Sequence, residues 1–187
     1  GTIVGVVEQS SLLPAKRIRC GDILVGMPST GLHTNGYSLA RRIVFEHLKL
    51  DVDSYVTDLK ATVGELLLAV HKSYLQEIKP HLHDRRLHGL AHITGGGIPG
   101  NLKRIIPDGL SALVSYNLDE VPPLFRWLGE SADLDIEEMR SAFNLGIGMI
   151  AVVDPGFVED FMRDTNYLVL GEIEESRPGF EKVTFIQ

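Results

Sequence analysis

Cysteine and tryptophan each occur once in these 187 residues, aromatic residues make up only 7%, and 18 Lys and Arg face 25 Asp and Glu. Each shortage excludes something. The lone Cys20 forms no disulfide within the chain, and it reads as a small apolar residue beside a strand rather than a sign of an oxidising compartment. The longest apolar run, Leu145–Val153, is too short to cross a bilayer as a helix, so no membrane role is expected. A net charge of −7 leaves no basic surplus for a nucleic-acid backbone, although local N–H groups can still hold a small phosphate ligand. There are no repeats or low-complexity tracts, no signal peptide is expected, and the expected location is cytoplasmic. With 44% hydrophobic and 23% charged residues, the chain has the make-up and length of a single domain with a substantial core. It opens on Gly-Thr-Ile-Val-Gly-Val-Val without a Met, which reads as an internal start, a piece of a longer protein.

Glycine is plentiful, and its placement carries the information. Pro28-Ser29-Thr30-Gly31-Leu32-His33-Thr34-Asn35-Gly36-Tyr37 lies between an apolar strand, Asp22–Met27, and a helix opening at Ser38. A glycine- and hydroxyl-rich loop in that position can aim backbone N–H groups at an anion where the helix dipole also favours negative charge. A simple capping turn accounts for the same residues equally well. A second loop, His92-Ile93-Thr94-Gly95-Gly96-Gly97-Ile98-Pro99-Gly100-Asn101-Leu102, follows the strand-like Leu90–Ile93. Three successive glycines cost backbone entropy and permit close approach, either of a phosphate or of another piece of backbone. Pro99 suits a first helical turn. A third stretch, Phe143-Asn144-Leu145-Gly146-Ile147-Gly148-Met149, sets Asn144 and two glycines at the mouth of an apolar strand.

Other clusters read as structural. His81, His83 and His88 near Asp84 lack a ligand set at recognised spacing, so no metal site is expected. Trp127 reads as core, and Glu137 with Glu138 as acids suited to a helix start. His33 and His92 differ because both lie in the glycine loops. They are the candidate catalytic residues, His33 as a ligand contact and His92 as either a contact or a buried strand residue.

The pattern predicts strands at Ile3–Val7, Ile23–Met27, Gly89–Ile93, Ser111–Tyr116, Ile147–Val153, Leu168–Glu172 and Lys182–Ile186, with hairpin pairing among those near the C-terminus. Helices are predicted at Ser38–Leu48, Val63–Ile78, Gly100–Ile106, Leu124–Glu130, Ile136–Phe143 and Phe157–Asp164. Capping boxes at Thr62/Glu65 and Asp135/Glu138 announce two of them. Leu66, Leu67, Val70, Tyr74 and Ile78 should face the core from one of these helices, which Pro80 ends.

Together the three motifs resemble the C-terminal domain of the aminoimidazole ribonucleotide synthetase (phosphoribosylformylglycinamidine cyclo-ligase) family. The family's Ser-Ser/Thr-Gly-x-His-Ser/Thr-Asn-Gly-Tyr/Phe-Ser-Leu is met by Ser29–Leu39. Its Ala-His-Ile-Thr-Gly-Gly-Gly is met by Ala91–Gly97, and its Phe-Asn-x-Gly-x-Gly-Met by Phe143–Met149. Two positions depart: Val70-His71 stand where Pro-Thr is common, and Gly100 where an acid is common. The resemblance implies an α+β fold, a mixed sheet with helices packed on its faces, in one substrate-binding domain spanning 1–187. The family's ATP-binding N-terminal domain, which holds most contacts to ATP and Mg²⁺, is not in this chain. It further implies a small ribonucleotide substrate, a homodimer for the intact protein, and cyclisation of formylglycinamidine ribonucleotide in purine biosynthesis.

The substrate or phosphate contacts so implied are Ser29, Thr30, Gly31, His33, Thr34, Asn35, Gly36, Thr94, Gly95, Gly96, Gly97, Asn101 and Asn144. If the strands before the two glycine loops run in the same direction in one sheet, Thr30, His33, Asn35 and Gly36 should face Thr94, Gly96 and Asn101 across a cleft bordered by Asn144. The alternatives are the related selenophosphate synthetase, thiamine monophosphate kinase, hydrogenase maturation factor and formylglycinamidine ribonucleotide synthetase, or a non-catalytic phosphate-binding module.

Overall fold

The computed structural model describes residues 2, 4–9, 12–13, 17–179 and 181–186. Its centre is a six-stranded sheet built from β1 (Ile23–Pro28), β4 (Leu87–His92), β5 (Leu110–Ser115), β6 (Ile147–Val153), β7 (Leu168–Glu175) and β8 (Val183–Ile186). The order is β4-β6-β1-β7-β5-β8, antiparallel at every step except the parallel β5–β8 pair. A small separate hairpin joins β2 (Tyr55–Val56) and β3 (Ala61–Thr62). The helices are α1 (Tyr37–Arg41, continued as a π-helical stretch over Arg42–His47), α2 (Val63–Leu67), α3 (Leu75–Ile78), α4 (Gly97–Leu102), α5 (Pro123–Ser131), α6 (Ile136–Ala142) and α7 (Val158–Met162).

Side-chain alternation along the central strands divides the core in two. Leu24 of β1 and Ile150 and Val152 of β6 join the larger cluster, with Ile43, Ile98, Leu102, Phe125, Leu128 and Met139 from the helices above. Val25, Met27, Ala151 and Val153 point the other way, against Tyr74, Ile78, Phe157 and Phe161. Both faces are thus covered, which is why β1 and β6 read as continuous apolar runs rather than alternating ones. The α+β architecture expected from the sequence is the one found.

Several expectations need correction. Residues 4–7 form no strand, Ile3 lies outside the described residues, and Val4 and Val6 are exposed. The C-terminal strands make no hairpin, because β5 lies between β7 and β8. The helix expected over Val63–Ile78 is broken: α2 stops at Leu67, α3 starts at Leu75, and Val70 is 84% exposed instead of facing the core. Tertiary hydrogen bonds explain the break. Tyr37 Oη donates to the Leu67 carbonyl and Thr30 Oγ1 to the Val70 carbonyl at 2.6 Å, taking acceptors that a helix would have used. Tyr74 Oη closes the far end on the Pro28 carbonyl at 2.9 Å. Residues 68–74 therefore form a strap laid over the first glycine loop. The fourth helix begins at Gly97 and ends at Leu102, three residues earlier at its start than periodicity suggested. The helix expected over Phe157–Asp164 is found as α7, with a 3₁₀ turn, Pro155–Phe157, just before it.

Both capping boxes are formed. Glu65 N–H donates to Thr62 Oγ1 at 3.3 Å and Thr62 N–H to Glu65 Oε2 at 2.8 Å, with the same reciprocity at Asp135 and Glu138. Thr62→Ala should cost about 1 kcal/mol of stability, read from the urea midpoint with an unchanged slope.

Candidate functional site

The placement of β6 decides the site. Because β6 is antiparallel to both β1 and β4, those two strands run in the same direction, and the loops that leave them emerge at one edge of the sheet. Residues 144–146 enter β6 at that same edge, so all three glycine motifs meet there. The shared-edge expectation holds.

Internal hydrogen bonds divide the candidate residues into supports and open groups. Asn144, 3% exposed, donates from Nδ2 to the Gly31 carbonyl at 2.9 Å and accepts at Oδ1 from Gly146 N–H at 2.8 Å. Ser29 N–H donates to the Gly146 carbonyl at 2.7 Å, and Ser29 Oγ lies 3.2 Å from Asn144 Oδ1. Asn101, 4% exposed, accepts from Thr94 Oγ1 at 2.8 Å and donates to the Gly97 carbonyl at 2.7 Å. Its amide is spent on the turn, so Asn101 does not face a cleft as expected; it holds the second loop in shape. Gly97 is buried at φ +59°, and a Cβ there would overlap the Arg140 carbonyl oxygen. The close approach that this glycine permits is to the chain's own α6 backbone.

Thr34, Gly95 and Gly96 are exposed, and Asn35, Gly36, Gly31 and Thr94 are partly so. Gly36 (φ +78°) and Gly96 (φ +93°) precede α1 and α4, and no side chain caps either helix start. The loops abut rather than flank a wide cleft, since a Cβ on Gly95 would lie 3.8 Å from Asn35 Oδ1. A cavity of about 380 Å³ opens on the other side of the first loop, lined by Ser29, Thr30, Gly31, Leu66, Ala69 and the Pro122–Phe125 stretch. Nothing in the motifs pointed to Pro122–Phe125, which carry only turn and helix-start chemistry. Glu65 also lines this cavity, yet its carboxylate is committed to the Thr62 capping box.

His33 and His92 come together, and the strap adds His71. The His33 and His71 rings stack at 3.9 Å between centroids, and His71 and His92 stand 5.5 Å apart. Thr30 N–H donates to His33 Nε2 at 3.2 Å. Gly148, in the third motif, makes the space: a Cβ there would come within 2.5 Å of His33 Cε1 and overlap Tyr74 Oη. Burial, reinforced by His71, His92 and Lys72, lowers the His33 pKa from 6.5 to about 4. Burial and then His71 also lower that of His92. Sequence reasoning passed over His71 except as a departure from the family pattern, and that departure was the available signal.

The clusters read as structural stay apart from this edge. His88 Nδ1 pairs with the fully buried Asp22 at 2.7 Å, His81 packs edge-on against Phe157 and Phe161, and His83 is exposed. Trp127 packs against the larger core cluster, Glu137 pairs with Arg140 at 2.6 Å, and Glu138 closes its capping box.

A two-faced sheet with glycine motifs at one edge defines a known class of domain. Residues 19–182 match the model of the family described as AIR synthase related protein, C-terminal domain, and the chain belongs to that family. It is 41% identical over 184 residues to the phosphoribosylformylglycinamidine cyclo-ligase of Pseudothermotoga lettingae, covering 96% of this chain and 54% of that protein. It is 39% identical over 191 residues to the enzyme of the same name from Geobacter sulfurreducens, covering 100% of this chain and 55% of the relative. The chain therefore spans about half the length of the curated relatives it matches.

Among solved structures, thiamine-monophosphate kinase from Stenotrophomonas maltophilia superposes with a TM-score of 0.62 at 16% identity, covering 96% of this chain and 54% of that one. Thiamine monophosphate kinase from Aquifex aeolicus gives 0.57 at 14% identity, with 92% of this chain and 52% of that one covered. At such identities these show a shared fold.

Two outcomes follow from this geometry. A proton NMR titration should place the His33 ring midpoint near 4, well below 6.5. Between those values the unfolded chain binds more protons than the folded one, so this residue's contribution is full above 6.5 and is lost as pH falls towards 4. Asn101→Ala, which strands the Gly97 carbonyl and Thr94, should destabilise by about 1–3 kcal/mol. Asn35→Ala, at a partly exposed site, should stay within about 0.5 kcal/mol of the unaltered chain in the same melts.

Proposed function

We propose that this chain is the substrate-binding half of an ATP-dependent cyclo-ligase that converts formylglycinamidine ribonucleotide to aminoimidazole ribonucleotide. The observation that carries the reading is the meeting of three glycine motifs at one sheet edge, with the Thr34–Gly36 and Gly95–Gly96 stretches left open. In this reaction ATP phosphorylates the formyl amide oxygen, the amidine nitrogen attacks that carbon to close the imidazole ring, and phosphate leaves with ADP formed. Little covalent help from protein is needed. The chain's share is to hold the substrate's phosphate and ribose, orient the two reacting ends and keep water out. Thr34, Asn35 and the open amides near Gly36, Gly95 and Gly96 supply donors for the phosphate. Ser29, Asn101 and Asn144 hold those donors in place, and His33, buried and held neutral, sits beside them.

Neither ATP nor Mg²⁺ is assigned to this chain. Mg²⁺ demands hard oxygen ligands in near-octahedral array. The donors gathered at the open edge are hydroxyls, amides and imidazoles, and Glu65 is tied to its helix start. These residues do not fit the ion, which supports a separate nucleotide-binding domain as its holder. The much higher identity to the cyclo-ligases than to the kinases favours this substrate over the others bound by the same fold.

The 187 residues alone should show no turnover in a coupled phosphate-release assay, and adding the matching N-terminal domain, in cis or as a second chain, should restore it. Asn35→Ala should then raise KM for the ribonucleotide while leaving the melting temperature in place. Robust ATP-dependent ring closure by the isolated chain would overturn the division of labour.

A further inference from the structure

Three imidazoles from three separate parts of the chain converge beside the first loop. His33 belongs to that loop, His71 to the strap over residues 68–74, and His92 is the last residue of β4. One ring nitrogen of each lies within 4.8 Å of the others. The three form a gradient from inside to outside: His33 is 3% exposed, His71 is partly buried and His92 is exposed, so the cluster opens to solvent on one side.

Packing alone accounts poorly for this group. Buried ring nitrogens normally find hydrogen-bond partners. His33 Nδ1 is buried with none, and its Nε2 has only the 3.2 Å contact from Thr30 N–H. The other buried histidine, His88, is by contrast fully explained by Asp22.

We propose that His33, His71 and His92 form a three-imidazole site for a divalent transition metal, Zn²⁺ in the first instance, with a coordination position left for water or a ligand oxygen. Imidazole nitrogens suit Zn²⁺ and its neighbours in the transition series, whereas Mg²⁺ and Ca²⁺ require oxygen. Three protein ligands with an open fourth position is the arrangement of reactive rather than purely structural zinc.

Zn–N bonds of about 2.0–2.1 Å put tetrahedral ligand nitrogens about 3.4 Å apart, so the ring nitrogens must draw in by roughly an ångström and the stacked pair must turn out of parallel. The strap backbone is tied by the Thr30 and Tyr74 hydroxyls, so the movement falls to side-chain torsions of His71, partly buried, and of His92, at a strand end with one side open to solvent. His33, packed against Gly148, supplies the fixed point, and binding at either of its ring nitrogens gives up the Thr30 N–H contact to Nε2, because a neutral imidazole has a single free lone pair. The site owes its third ligand to His71, one of the two positions where this chain departs from the family pattern. It does not rest on the cyclisation reading, since binding is read without turnover.

The test is calorimetric titration of the purified chain with Zn²⁺ alone, and with Co²⁺ followed by visible absorption. The expected result is one equivalent bound, an intense four-coordinate Co²⁺ band, and no heat from Mg²⁺. His71→Thr and His92→Ala, both at positions with access to solvent, should leave the metal-free melt unchanged. Each should weaken Zn²⁺ binding by more than the roughly 100-fold upper limit for a disturbed outer ligand shell. A His81→Ala control should bind as the unaltered chain does. No saturable one-site binding, or undiminished affinity in His71→Thr and His92→Ala, would overturn the proposal. So would binding lost in His81→Ala alone, which would put the ion on the surface connector.

Discussion

One antiparallel strand between two that run together is the constraint on which the site depends. β6 pairs with β4 on one side and β1 on the other, and this alone forces both glycine loops to the edge where β6 begins. Asn144 lies just before β6, where its buried amide ties the Gly31 carbonyl and the Gly146 amide together. A strand order in which β1 and β4 opposed each other would leave the same residues at opposite ends of the molecule.

The edge is then stiffened by polar groups turned inward. Asn101, Asn144 and Ser29 spend side-chain hydrogen bonds on backbone or on each other. Satisfying buried carbonyls and amides in this way fixes loop shape at low cost, because each group left unpaired would cost about 1–3 kcal/mol. Glycine supplies the complementary freedom. At Gly97 a side chain would strike α6, and at Gly148 it would displace His33 and Tyr74. The side chains left open at this edge are few and small.

The sharing of this fold by proteins that act on different small molecules puts the weight of specificity on the loops. A fold does not select a substrate; side chains grafted at its edge do. Here the strap departs from the motif that the sequence resembles. It carries Val70 and His71, it is held by the hydroxyls of Tyr37, Thr30 and Tyr74, and it sets the third imidazole against the first loop. A change of two residues in such a segment alters what the edge offers without touching the core.

Much of this was legible in the chain itself. Apolar runs marked the six strands of the main sheet, and reciprocal Thr62/Glu65 and Asp135/Glu138 pairs marked two helix starts, because these signals are local and act through neighbouring residues. The glycine motifs named the loops for the same reason. Periodicity failed at residues 68–74, where the hydroxyls of Tyr37 and Thr30 took over carbonyls of a good helix pattern, those of Leu67 and Val70. Residue type alone also left Asn101 open, since an amide suits ligand binding and internal bracing equally, and the structure shows its hydrogen bonds to Thr94 and the Gly97 carbonyl. Strand order, the insertion of β5 between β7 and β8, and the meeting of His33, His71 and His92 are long-range facts. They come from burying two faces of one sheet at once, and no window of sequence contains that condition.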